Sequence, residues 1–237
     1  MRYGGRPLDP AATVESLGAR TAAAVPLSME MVRYGMQEAV PPHLTPGGWA
    51  QMVYDAAQRG EVAPELCPAM MSAYLAPSLD TTINGIGNAM LLFGEHPDQW
   101  ELLHADPSLI PSAVNEVLRL ESPIQRFTRY VTQDHDVGDV MVPAGSRVML
   151  LFGAANRDER RWADPTRFDV RRERSAEHLA FGFGPHACVG SGLARLEMRV
   201  LLEALVARIA RFETARPVRA INQVLRGMAS LEVTVVA

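Results

Sequence analysis

Residues 178–198 read HLAFGFGPHACVGSGLARLEM, and Cys188 near their middle is one of two cysteines in the chain. Gly182, Gly184, Ala187, Gly190 and Gly192 surround it, and a helical pattern opens directly after it. Glycine lets backbone N–H groups approach a ligand closely, because no Cβ stands in the way. A sulfur just ahead of a helix N-terminus lies at the positive end of the helix dipole, which favours thiolate over thiol. The stretch therefore reads as a stabilised thiolate on a tight loop that faces something large.

Several chemistries compete for such a loop. Gly182-x-Gly184-x-x-Ala187 fits the loose form of a dinucleotide fingerprint, but that motif needs a buried strand before it and a helix opening at the glycines. Here the charged run Arg174–His178 precedes, Pro185 interrupts, and the helix opens only after Cys188. A His186/Cys188 nucleophile pair is a second reading and is disfavoured, since side chains two residues apart in an extended segment stand roughly 6–7 Å apart along the strand rather than facing each other. A thiolate ligand to heme iron is a third reading. An inert cysteine on a structural turn is the fourth.

Composition narrows the classes. The chain has 237 residues, 48% of them hydrophobic, with a net charge of −4. That is enough for a sizeable core in one large domain or two small ones. All 23 basic residues are arginine and no basic tail is present, so nothing points to nucleic acid. Cys67 and Cys188 are too few and too far apart for a disulfide framework or a zinc knuckle, and a reducing cytoplasm fits. No apolar run reaches the length of a membrane span, and no signal-peptide pattern opens the chain. The expectation is a cytoplasmic protein with neither membrane nor nucleic acid as partner.

In chain order, Met1 to about Pro10 reads as a frayed start, and Ala11–Val40 as helical with a break near Pro26. A short helix spans about Trp49–Arg59 and ends at Gly60, with Trp49, Met52, Val53 and Ala56 on one face. The next helix, about 64–94, is apolar around most of its circumference and is expected to be buried. Pro77, Ser78, Asp80, Thr81 and Thr82 in its middle predict a kink or an opened hydrogen-bond ladder, or else two helices with a loop at 76–78. Cys67 on the same helix reads as a small core residue.

Helices then run to about His104 and from Pro107 to about Leu120. Glu116 and Arg119 stand one turn apart; an isolated surface pair of this kind is worth about 0.3–0.5 kcal/mol. Phe127–Val131, Asp136–Val142 and Arg147–Phe152 read as short strands with turns at Gly138-Asp139 and Pro143-Ala144-Gly145. Arg129 taken alone reads as a solvated edge-strand arginine. Val148–Ala155 is the most hydrophobic short run and is expected inside, whereas 156–175 reads as a long charged loop. After the cysteine, Leu193, Leu196, Val200, Leu201 and Leu205 form one apolar face with Arg195, Arg199 and Glu203 opposite. Residues 218–236 alternate weakly, as strands do. The fold class is mainly α with small β-sheets.

The run Phe181-Gly182-x-Gly184-x-His186-x-Cys188-x-Gly190 resembles the heme-binding loop of the cytochrome P450 family. Phenylalanine, three glycines, histidine and cysteine all fall in register. The resemblance implies heme b (iron protoporphyrin IX) as cofactor and Cys188 as its proximal iron ligand, the arrangement that promotes O–O cleavage. It also implies that His186 bonds a heme propionate, that Phe181 shields the thiolate, and that Gly182 belongs to the cofactor-binding loop. Residues 64–94 match the family's central helix, and Asp80-Thr81-Thr82 its acid–alcohol motif. Pro77-Ser78 stand where the family usually has Ala-Gly, a departure in the oxygen pocket. Glu116-x-x-Arg119, with Arg167 from Asp164-Pro165-Thr166-Arg167-Phe168, matches a buried structural charge network. Arg129 matches the strand arginine that pairs with a propionate.

The resemblance covers nearly the whole chain in the family's order but begins in its middle. The expectation is a single domain over 1–237, truncated at its N-terminus, holding the C-terminal part of the P450 fold. The implied activity is a monooxygenase inserting one oxygen atom of O2 into a small organic substrate, with Asp80 and Thr81 moving protons. Electrons would come from a ferredoxin or flavoprotein reductase. The contrasting expectation is a truncated, non-catalytic remnant with weak or no heme binding.

Overall fold

Proline opens the helical segments that begin at Pro41, Pro64, Pro97 and Pro107, because its missing N–H costs nothing in the first turn. The structure, a computed structural model, describes Arg2, Tyr3, Arg6, Pro7, Val25, Pro26, residues 29–222 and residues 224–236. Its contacts divide the chain into two compact units, Met1–Asp80 and Thr81–Ala237.

In the first unit β1 (Arg2–Tyr3) pairs antiparallel with β2 (Arg6–Pro7), so part of the expected frayed start is a short ladder. Of the helix expected over Ala11–Val40, residues 11–24 lie outside the described residues, and α1 (residues 29–37) carries its second half. A 3-10 turn at Pro41–His43 leads to α2 (Trp49–Gln58), which Gly60 ends at a φ of +74°. The core here gathers Ala39, Val53, Cys67 and Met71, with Ala50, Tyr54 and Ala57 packed on it. The inward stripe of α2 is therefore 50, 53, 54 and 57. The expected stripe misplaced Trp49 and Met52, which are 70% and 58% exposed. Both stripes have helical spacing, and the Tyr54 hydroxyl bond to the Ala39 carbonyl at 2.7 Å fixes the rotation.

A 3-10 turn at Pro64–Leu66 runs into α3 (Cys67–Glu95), which is continuous through Pro77; there is no loop at 76–78. Its burial differs from expectation. Cys67 and Met71 at one end and Asn88, Ala89, Leu91, Leu92 and Phe93 at the other are buried, while Tyr74, Leu75, Leu79 and Ile83 between them are exposed. An apolar circumference does not specify which faces find a partner.

The second unit continues with α4 (Pro97–Ala105), α5 (Ile110–Leu120), α6 (Phe152–Ala155) and α7 (Ser191–Val206). Phe93, Trp100, Leu103, Val114, Val117, Phe168, Val170, Met198 and Leu202 form its core. Phe93 meets Trp100 and Phe168 edge-on at 5.2 and 5.3 Å, and Trp100 meets Phe212 at 4.9 Å. Such pairs add about 0.5–1.5 kcal/mol each beyond their burial. Antiparallel pairs join β3 (Phe127–Tyr130) to β6 (Arg147–Leu150), β4 (His135–Val137) to β5 (Val140–Val142), and β7 (Arg211–Arg219) to β8 (Met228–Val236).

Two expectations fail in this unit. Met149, Leu150 and Leu151 are exposed and only Phe152 of the run at 148–155 is deeply buried, because β6 pairs with β3 alone. Along α7 the buried row is Met198, Leu202 and Val206, whereas Leu193, Leu196 and Val200 are 40–51% exposed. Both rows are apolar, and packing against α5 chooses between them. That rotation carries Arg195, one turn ahead of Met198, onto the inward side.

Candidate functional site

The cysteine loop is held from within by its own backbone. Gly182 and Gly184 adopt φ of +69° and +72°, left-handed values that side chains with a Cβ rarely take. The resulting turn lets the Cys188 N–H donate to the Phe181 carbonyl at 2.8 Å, and the Ala187 N–H to that of Gly184 at 2.9 Å. Gly190 is the N-cap of α7, and its carbonyl accepts from Ala194 at 2.9 Å. Cys188 therefore sits just before a helix N-terminus and is exposed. The inert buried cysteine of the fourth reading is Cys67 instead.

Beside the loop, Phe152 connects strand to cysteine. Its ring lies 6.1 Å from that of Phe127 on β3, and its tip is 4.0 Å from where a Cβ on Gly182 would stand. Arg129, two residues along β3, shares the Phe127 face of the strand. It is half-buried, and its guanidinium donates to the Thr128 carbonyl at 3.1 Å; among the described residues it makes no ion pair. His186 is exposed at the end of the 3-10 turn Gly184–His186. Asp80 is exposed and Thr81 half-buried at successive positions of α3.

Behind the loop lies a buried charge network. Glu116 and Arg119 are fully buried and form a two-pronged pair, with Nε and Nη2 of Arg119 at 2.7 and 2.9 Å from the two carboxylate oxygens. The second cation on Glu116 is Arg172, whose Nε lies at 2.9 Å. Arg167, expected in that role, offers only its backbone carbonyl, which accepts from Arg119 at 3.3 Å and from Arg172 at 2.8 Å. The correction has a simple cause: the loop turns between the two residues, so the later arginine points inward.

Asn156 ties this network to the cysteine loop. Its carbonyl accepts from Arg119 Nη1 at 2.6 Å, and its side-chain oxygen accepts from the Leu179 N–H at 2.6 Å. Sequence reasoning missed both Asn156 and Arg172. It also missed Glu121, a nearly buried carboxylate on which Arg157, Arg219 and Arg226 converge at 2.8, 2.9 and 2.5 Å. Burial pushes the Glu121 carboxyl up, and the guanidiniums, Arg226 foremost, outweigh it and hold it below the usual carboxylate range. An asparagine where the apolar run at 148–155 gives way to the charged loop was a visible signal at 156; nothing local marks the other two.

Phe181 meets two polar side chains. The Arg195 guanidinium lies 4.5 Å from its ring centroid, and the His178 ring lies 5.5 Å away. His178 accepts from the Ala180 N–H through Nδ1, and its buried Nε2 has no partner among the described residues. Burial first, then the Arg195 charge, lowers its pKa from 6.5 to about 4, so it is neutral at pH 7.

Heme would fit these residues. A cysteine that holds iron must be exposed, and a flat apolar group needs a surface without intruding side chains. Cys188 is exposed and its neighbours Phe183 and Val189 present apolar surface, 86% and 80% exposed. A Cβ on Gly190 would stand 3.8 Å from the sulfur, so the glycine keeps that side open.

Comparison with known proteins agrees with the fold. Residues 67–228 match the family model for cytochrome P450. The chain is 41% identical over 201 residues to cytochrome p450 CYP199A2 of Rhodopseudomonas palustris, covering 84% of this chain and 48% of that protein. It is 40% identical over 180 residues to beta-dihydromenaquinone-9 omega-hydroxylase of Mycobacterium tuberculosis, covering 76% of this chain and 37% of that protein. The structure of the tirandamycin C-bound P450 monooxygenase TamI superposes with a TM-score of 0.82 at 34% identity, covering 90% of this chain and 56% of that one. An exposed cysteine on a glycine loop ahead of a helix, in a mainly helical fold, defines a class, and within it this chain belongs to the cytochrome P450 family. It spans about half the length of the curated relatives it matches. Among the described residues no helix is long and apolar enough to cross a membrane.

Proposed function

We propose that this chain carries the heme-thiolate portion of a single monooxygenase domain, which inserts one oxygen atom of O2 into a small organic substrate. The observation that carries the reading is Cys188, exposed on a glycine loop ahead of α7 and fastened through Asn156 to the Glu116–Arg119–Arg172 network. Bound heme would supply the reductive activation of dioxygen, with two electrons and two protons delivering one oxygen atom to substrate and one to water.

The chain's own residues have distinct tasks. Cys188 holds the iron as thiolate, favoured by the positive end of α7. Phe181 accepts the Cys188 N–H through its carbonyl and shields the sulfur with its ring. Arg129 and His186 are charge and hydrogen-bond donors for propionates, the role for which a guanidinium fork is best shaped. Thr81 donates and accepts through its hydroxyl, and Asp80 replenishes its proton from solvent, which its exposure permits. A ferredoxin or flavoprotein reductase serves as electron donor, in the cytoplasm.

A second reading has its own observation. Within the second unit Ile83 is 64% exposed and Phe127 46%, large apolar side chains left uncovered, which favours a chain unable to close a dry pocket by itself. It would then be a non-catalytic remnant with weak heme binding. Two measurements on the heme-loaded chain separate the readings. The reduced carbon monoxide adduct should show the red-shifted thiolate band and lose it in Cys188→Ser. Product formed in proportion to electrons consumed supports the monooxygenase; electrons lost to peroxide support the remnant.

A further inference from the structure

We propose that Arg195 is a positioning residue for the Cys188 thiolate: stacked on Phe181 and tethered to Asn115, it fixes a positive charge behind the sulfur and sets how strongly the thiolate donates to bound iron. The proposal rests on the heme-thiolate reading of Cys188.

Three contacts hold Arg195 in place. Its guanidinium lies over the Phe181 ring at 4.5 Å, its Nε donates to Asn115 Oδ1 on α5 at 2.9 Å, and its Nη1 reaches the Ser191 carbonyl at 3.4 Å. A guanidinium is planar and always charged, so stacking and a tether together leave it little freedom. Phe181 in turn is bonded to the ligand residue itself, through the Cys188 N–H. The stack, the ring and the cysteine backbone form one continuous unit.

The electrostatics point the same way. Burial lowers the Arg195 pKa below that of an ordinary arginine, and Cys188 acts in the opposing sense, so the two side chains sense each other. His178, which also meets the Phe181 ring, is buried and neutral at pH 7, so Arg195 is the charged one of the two side chains. A fixed cation near a thiolate withdraws electron density from it. Iron bound there is then easier to reduce than it would be with the cation absent. Arg199, the next arginine on α7, has no such stack and pairs loosely with Glu203 at 3.6 Å, which makes it an internal control.

The test is a reductive titration of the heme-loaded chain. Arg195→Gln should move the reduction equilibrium about tenfold toward the oxidised form, about 59 mV for a one-electron couple. Arg195→Lys, which keeps the charge, should recover at least half of that shift. Asn115→Ala, which loosens the tether, should move it part of the way in the same direction, and Arg199→Gln should leave it unchanged. Wild-type potentials in Arg195→Gln, or equal shifts in Arg195→Gln and Arg199→Gln, would overturn the proposal. Should Arg195→Gln fail to hold heme, Asn115→Ala decides, and a wild-type value there overturns it. The wild-type carbon monoxide spectrum separates the two layers. Without a thiolate band the reading of Cys188 falls and takes the proposal with it; with the band and unmoved potentials, only the role of Arg195 falls.

Discussion

Arg172 Nε donates to Glu116 Oε1 at 2.9 Å across 56 residues of chain, and through this bond the irregular segment before the cysteine is fastened to α5. Glu116 is fully buried and Arg172 is 10% exposed, so neither charge has water to fall back on. Losing Arg172 leaves Glu116 with Arg119 alone, a cost that falls between the value of under about 1 kcal/mol for a surface pair and the value of about 3–5 kcal/mol for a buried charge left unpaired. Arg172→Ala should therefore lower the urea midpoint while Arg167→Ala leaves it nearly unchanged. Equal effects would mean that the two arginines are wrongly assigned.

Glu121 makes a parallel prediction in which the shared anion, not a cation, is removed. Glu121→Gln would leave Arg157, Arg219 and Arg226 facing one another without their shared anion. The expected loss is about 3–5 kcal/mol. Because the folded carboxyl is held below its usual value of 4.5, its stabilisation is present above that pH and is lost as pH falls further. Equilibrium unfolding of wild type and variant should therefore converge toward acid. A constant gap down to pH 3 would contradict this.

His178 governs a different window. Its folded pKa of about 4 lies below the ordinary 6.5, so between those values the unfolded chain binds the extra proton. Stability from this group is complete above pH 6.5 and falls toward pH 4, by about 3 kcal/mol in all. His178→Asn keeps an acceptor for the Ala180 N–H and removes the titration. Its stability should vary less between pH 7 and pH 5 than that of wild type, measured by denaturant unfolding at each pH.

Pro77 lies inside α3, where it lacks a helix N–H and its ring crowds the preceding turn. Pro77 is itself exposed, so an alanine there meets little packing. Pro77→Ala should raise thermal stability, by up to about 3 kcal/mol. A loss of stability would show that the proline shapes the helix in a way its neighbours depend on.

Much of the fold was legible because its signals are local. The glycines around Cys188, the helix behind it, the prolines opening α4 and α5, and the turns between β3 and β6 are each written within a few residues. The Glu116–Arg119 pair is likewise a one-turn relationship. The faces of α2 and α7 were not legible, since each helix carries two apolar rows at helical spacing and only its neighbours select one.

The sequence by itself determined the glycine turns around Cys188 and the order of helices and strands, because glycine conformation, proline placement and hydrophobic period act over short range, and it carried the motif whose resemblance pointed to the family. The tertiary structure alone decided that Arg172 rather than Arg167 reaches Glu116, that Asn156 links that pair to Leu179, that three arginines share Glu121, and that Arg195 lies on Phe181. Each of these joins side chains distant in sequence. A buried charge or hydrogen-bond donor takes whichever partner packing brings within about 3 Å, and no pattern along the chain encodes that choice.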